Sequence, residues 1–168
     1  NDKLIYEEKN ERFTLGIGLT SDEKYFLISS GDHTTSEVYY FSSNEINPAP
    51  KLFKKAKEGI IYSLNSWNGN FYIHTNEHAE DFKICKCSHK NINSWEEVVP
   101  AKAEVLVGGF TMLKNWMVRS ETVNALPKLF VRNVVFQKFK NVWFHLSYLK
   151  TLDPNNTGII LFTFYPIV

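Results

Sequence analysis

The chain has 168 residues and a mass of 19.5 kDa, enough for one domain with its own core and too little for two ordinary ones. With 43% hydrophobic and 22% charged residues it reads as soluble and globular, which excludes a disordered chain. Lys and Arg total 19 against 18 Asp and Glu, a formal net charge of +1, which argues against gripping nucleic acid by phosphate neutralisation.

In chain order the elements read as strands, in keeping with an aromatic share of 15%. Residues 13–19 alternate apolar with small or polar side chains, 20–24 have turn chemistry, and 25–30 form a second strand. A polar loop over 31–35 leads to a strand at 37–41. A loop holding Pro48 and Pro50 leads to a short one at 51–53. The order then repeats. Strands at 60–64, 71–75, 82–86 and 95–99 include a hairpin at Asn68-Gly69, the strongest such dipeptide in the chain. A third round runs through 105–107, 116–119 and 128–131, with a loop at 122–125. Equivalent strands lie roughly 45 residues apart, the period of a four-stranded propeller blade. A β-sandwich or barrel is the alternative, but it does not require four-strand groups that recur in one internal order.

The fold expectation is therefore all-β: a partial, open β-propeller of four-stranded antiparallel blades. Its blades fall at about 12–55, 60–100 and 104–145, with the start of a further one at about 150–168. A closed propeller needs about four to eight blades. The chain should thus hold part of a ring and leave sticky faces at Ile5-Tyr6 and at 162–168.

Cys85 and Cys87 are the only cysteines, and two residues apart on a strand they share a face and make a poor disulfide. That usage fits a reducing compartment. The charged opening has no apolar leader, and 158–168 falls short of a membrane span, so a cytoplasmic chain with no membrane partner is expected.

Candidate chemistry is sparse. His33 beside Asp32 could suggest acid–base work, but sequence neighbours lack the geometry a general base needs; a blade loop is the reading preferred. His74, His78, Cys85, Cys87 and His89 have metal-ligand residue types. His74-x3-His78 has a zinc spacing, whereas Cys85-x-Cys87 is too tight. His74 and Cys85 would meet only if adjacent strands bring them together. Tyr39, Phe41, Phe71 and Trp116 could stack bases but read more simply as packing between blades, and Lys51, Lys54, Lys55 and Lys57 as a solvated outer strand. No catalytic, cofactor-binding or metal-ligating residue is assigned, and no nucleic-acid partner is expected.

Several stretches resemble a known family. Residues 5–13, Leu27-Ile28-Ser29-Ser30-Gly31-Asp32-His33-Thr34-Thr35-Ser36-Glu37-Val38, 71–76, 95–100 and 126–131 are similar to the propeller of the prolyl oligopeptidase family of serine peptidases. The likeness is to its oligopeptidase B (protease II) branch, strong over 3–133 and loose over 153–165. Asp32 stands where the family usually has Ser, Asn10 where it has Asp, Ala101-Lys102 where it has His-Arg, and Ala125 where it has Gly.

The resemblance implies a seven-bladed propeller joined to an α/β-hydrolase domain, with Ser on a G-x-S-x-G elbow followed by Asp and His. It also implies cleavage of short peptides after Arg or Lys, with the propeller as a gate and size filter. No G-x-S-x-G occurs in this sequence, and the acidic residues that select Arg or Lys lie outside the matched region. The chain is therefore expected to be non-catalytic alone. Its implied partner is the remainder of the peptidase; a homo-oligomer through exposed blade edges is a further expectation. The alternatives are a stand-alone β-rich interaction module and a metal-binding β domain.

Overall fold

Alternating side chains become twelve strands in the computed structural model of the chain, which describes residues 2–134 and 142–144. The first sheet holds β1 (Thr14–Leu19), β2 (Tyr25–Gly31), β3 (Ser36–Ser42) and β4 (Lys51–Lys54). The second holds β5 (Tyr62–Trp67), β6 (Asn70–Thr75), β7 (Lys83–Ser88) and β8 (Asn91–Val99). The third holds β9 (Val105–Leu113), β10 (Trp116–Val123), β11 (Leu126–Asn133) and β12 (Val142–Phe144). Each is an antiparallel meander whose neighbours follow chain order. The start of a further blade at 150–168 and the apolar end at 162–168 lie outside the described residues.

Turn chemistry fixes the registers. Asn68 and Gly69 both have positive φ, 48° and 79°, as a two-residue hairpin requires. Asn124 and Ala125 do the same at 50° and 61°, so the expected loop over 122–125 shrinks to two residues, and Thr122 and Val123 pair with Pro127 and Leu126. Ala125 occupies a conformation that glycine adopts without its roughly 1–2 kcal/mol penalty. Phe82, expected as the start of a strand, instead turns at φ 64°, its ring stacked on His74 at 4.6 Å; β7 begins one residue later. The strand expected at 105–107 continues to Leu113, because Gly108 and Gly109 are absorbed as a bulge opposite Ser120. A Cβ on Gly108 would meet Ser120 Oγ at 2.3 Å.

The sheets stack in series, and the second is packed on both faces. A two-layer sandwich covers only one face of each sheet, so the sandwich alternative fails. Between the first and second sheets lie Leu27, Val38, Phe53, Tyr62, Phe71, Ile73, Cys85 and Cys87. Between the second and third lie Tyr72, Ile84, Val99, Val107, Met112 and Met117. The split follows from strand alternation: Phe71 and Ile73 point one way and Tyr72 the other.

Alternation also corrects the aromatic expectation. Phe71 is fully buried between sheets, but Tyr40, not Tyr39, faces the second sheet. Tyr39 packs on Tyr6 at 4.7 Å and Phe41 stacks on Phe26 at 5.3 Å, both on the outward face of the first sheet; Trp116 is 43% exposed. The expected sticky patch at Ile5-Tyr6 is half-buried against that face. Near this end of the chain the exposed apolar residues are instead Leu4 and the β1 residues Leu15, Ile17 and Leu19.

Candidate functional site

The Asp32 loop is a built turn. Asp32 Oδ1 accepts from the backbone N–H groups of Thr34 (2.8 Å) and Thr35 (2.9 Å) and from the Thr34 hydroxyl (3.0 Å). Arg12 Nη2 donates to Asp32 Oδ2 at 2.8 Å. These bonds favour the carboxylate and bring its pKa down to about 2, with the Thr34 backbone bond first among the causes. Gly31 is required beside it, since a Cβ there would meet the Thr35 carbonyl oxygen at 2.3 Å. His33 is exposed, and Asp32 gives Oδ1 to the turn and Oδ2 to Arg12, so the motif shapes a β2–β3 connection.

The metal-type residues do not converge. His74 lies on β6 opposite Ile84, and Cys85 on β7 opposite Ile73. Adjacent strands do carry them, but on opposite faces. His74 Nε2 donates to the Val107 carbonyl at 2.8 Å towards the third sheet, while Cys85 and Cys87 face the first. His78 is exposed, and no group of three or more potential metal ligands forms among the described residues. Both cysteines are free and buried. Burial and then Cys85 push the Cys87 thiol up to about 11, away from the reactive thiolate.

The sequence reading missed an Asp–Ser–His cluster. Ser66 Oγ donates to Asp22 Oδ2 at 2.9 Å and lies 2.9 Å from His89 Nε2, while the Tyr25 hydroxyl is 3.3 Å from His89 Nδ1. A hydroxyl has one proton. Given to Asp22, it leaves Ser66 only able to accept from His89. A nucleophilic serine needs the reverse, its proton passing to the histidine, and Ser66 is fully buried. The cluster joins the first sheet to the second, as do Ser21 N–H to Asn65 Oδ1 (2.8 Å) and Asn65 Nδ2 to Ser21 Oγ (2.8 Å).

Burial holds both His74 and His89 below the ordinary histidine pKa. The unfolded chain therefore takes up these protons first, near pH 6.5. Stability should be full above that value and fall as the pH drops through it. Urea midpoints should be lower at pH 5.5 than at pH 7.5, and the pair His74→Gln, His89→Gln should flatten the difference. Equal midpoints in the parent chain would refute this. Loss from Asp32 and Glu8, whose carboxyls are lowered, belongs to a separate window below about pH 4.

A cleft of about 560 Å³ opens between the second and third sheets, lined among others by Tyr72, Lys86, Glu96, Arg119, Phe130 and Arg132. Arg119 pairs with buried Glu121 and lies over the Phe130 ring at 4.6 Å, and Arg132 Nη1 donates to the Val98 carbonyl at 2.6 Å. Among the described residues no serine, threonine or cysteine lines it, and it offers charge and shape.

These observations describe a scaffold of repeated sheets with no assembled catalytic group among the described residues. A family model for the prolyl oligopeptidase N-terminal beta-propeller domain matches residues 1–152. The chain belongs to the prolyl oligopeptidase family. Protease 2 of Moraxella lacunata is 27% identical over 131 residues, covering 78% of this chain and 19% of that protein. Dipeptidyl aminopeptidase BI of Pseudoxanthomonas mexicana is 28% identical over 131 residues, 76% of this chain and 18% of that protein. The solved oligopeptidase B from Trypanosoma brucei, with covalently bound antipain in a closed form, superposes with a TM-score of 0.73 at 16% identity. It covers 77% of this chain and 19% of that one, a likeness that shows the fold alone. The chain thus spans about a fifth of the length of these relatives. The three sheets are part of an open array of propeller blades within this prolyl oligopeptidase domain, consistent with the oligopeptidase B-like stretches in the sequence.

Proposed function

We propose that this chain is the propeller part of an oligopeptidase B-like serine peptidase, and that it gates and size-filters access to a catalytic domain carried by the rest of the protein. The observation that carries the reading is the match of residues 1–152 to the family's N-terminal propeller. The partner is then the remaining blades and an α/β-hydrolase domain, which would supply a Ser-His-Asp acyl transfer that no group among the described residues performs. Cleavage after Arg or Lys rests on the likeness to Protease 2 and the oligopeptidase B stretches. A cytoplasmic setting accords with the two free, buried thiols.

The test pairs this chain with the complete protein that contains it. The 168-residue chain should release no chromophore from an Arg p-nitroanilide, and the complete protein should do so in a manner blocked by a serine-directed inhibitor. Turnover by the purified chain, or cleavage by the complete protein after residues other than Arg and Lys, would overturn the reading. A second reading, an interaction module, is favoured by the full exposure of β1.

A further inference from the structure

The edges of the three sheets differ in charge. β4 carries Lys51 and Lys54, and β8 carries Glu96 and Glu97. Charge is a usual protection of an open edge. The opposite edges, β1, β5 and β9, carry no charged residue and no proline. In a propeller one edge of each blade turns to the central channel and the other to the rim. The charged edges mark the rim.

β1 is the barest of the three, with every residue exposed. Its pairing with β2 shows which backbone groups are free. Thr20 N–H donates to the Tyr25 carbonyl at 3.0 Å, continuing the ladder in which Leu19 lies opposite Phe26. Antiparallel bonding alternates, so Gly16 and Gly18 bond to β2, while the N–H and C=O of Leu15, Ile17 and Leu19 point outward. Those three side chains share one face and are 50%, 65% and 48% exposed. On the other face, a Cβ built on Gly16 or Gly18 meets nothing within 4 Å.

We infer that the free edge of β1 binds an extended peptide by strand addition. The row of donors and acceptors, unpaired among the described residues, prescribes a backbone as the occupant, since only another extended chain matches its spacing. The absence of charge along β1 prescribes uncharged residues. Side chains opposite Leu15, Ile17 and Leu19 would be apolar, and the space beside Gly16 and Gly18 admits larger ones at alternate positions. Binding needs no hydrolysis, so the inference stands or falls apart from the peptidase reading.

The probe is an acetylated, amidated octapeptide of alternating valine and threonine, added to the 168-residue chain with amide exchange followed by NMR. The amides of Leu15, Ile17 and Leu19 should slow by at least about tenfold. The same peptide N-methylated at alternate residues should protect none of them. Ile17→Pro removes a donor that faces the free edge, not β2, and edge strands tolerate proline there. Its near-UV circular dichroism should match the parent's, and the octapeptide should leave its Leu15 and Leu19 amides unprotected. Should that variant fail to fold, the N-methylated peptide on the parent chain decides. No protection at millimolar peptide, equal protection by the N-methylated peptide, or protection in folded Ile17→Pro would overturn the proposal. Protection without peptide that rises with protein concentration would overturn it too, because the occupant would then be a second copy of the chain.

Discussion

Phe71→Ala is expected to destabilise the chain by about 3–5 kcal/mol, read as a shift in the urea unfolding midpoint. Phe71 is the second residue of β6 and has no exposed surface. Its ring touches Tyr25 and Tyr40 at 5.1 Å and Phe53 at 5.4 Å, all on the first sheet, and His89 at 4.4 Å. Truncation leaves a cavity ringed by aromatics from two sheets, which cannot close without separating their backbones from the hydrogen-bonded staples at Ser21 and Asn65. The size of the loss comes from that inability to collapse as much as from lost transfer energy. Phe71→Leu keeps most of the volume and should cost less than about half as much. Amide exchange should speed first in β2 and β3, because Phe71 is what the first sheet leans on. A loss below about 1 kcal/mol would show that the layer adjusts freely, contrary to close packing.

Strand positions were legible because a half-buried strand writes its own period into the sequence. Asn68-Gly69 was legible because positive φ at two successive residues selects that pair. The blade repeat followed from the recurrence of the same four-strand order. Which way each strand faces was not legible where bulges and neighbours intervene. His74 and Cys85 do lie on adjacent strands, the condition for their meeting, yet a one-residue offset in register puts them on opposite sides of the second sheet. Tyr39 and Tyr40 are both aromatic, so composition gives no clue to which one enters the core; only the pairing of Tyr40 with Leu27 decides it.

The Asp22, Ser66 and His89 cluster left no local trace. Its members come from a turn, a strand and a second turn, and each residue type is ordinary in its own setting. They meet only because the first and second sheets stack with their turn ends aligned. The Asp32 motif is the converse case. Its residues are contiguous and specific, and the structure explains them as one turn: Gly31 for the close approach and Asp32 for the backbone amides. The family likeness that they carry is thus a likeness of scaffold.

The second large effect is expected at Glu121, where alanine should cost about 3–5 kcal/mol. Glu121 is 4% exposed, and Arg119 donates to its Oε1 from both Nε (2.8 Å) and Nη2 (2.7 Å). It falls between the strand expected at 116–119 and the loop expected at 122–125, which is why a buried carboxylate was not foreseen. Without it, the Arg119 guanidinium is left buried over the Phe130 ring beside Arg132, whose own pKa is lowered by burial and then by Arg119. Two cations would then share a low-dielectric layer with the carboxylate paired to Arg119 removed. The exposed pair Lys86–Glu96, with Glu96 70% exposed, should by contrast yield about 0–1 kcal/mol on Glu96→Ala. The decisive control removes both partners of the buried pair. Arg119→Met with Glu121→Leu should recover most of the loss, and the double-mutant cycle should show strong coupling, because the penalty lies in the orphaned charge and not in the missing contact. A double variant as unstable as Glu121→Ala alone would contradict this account and would place the cost in packing between the second and third sheets.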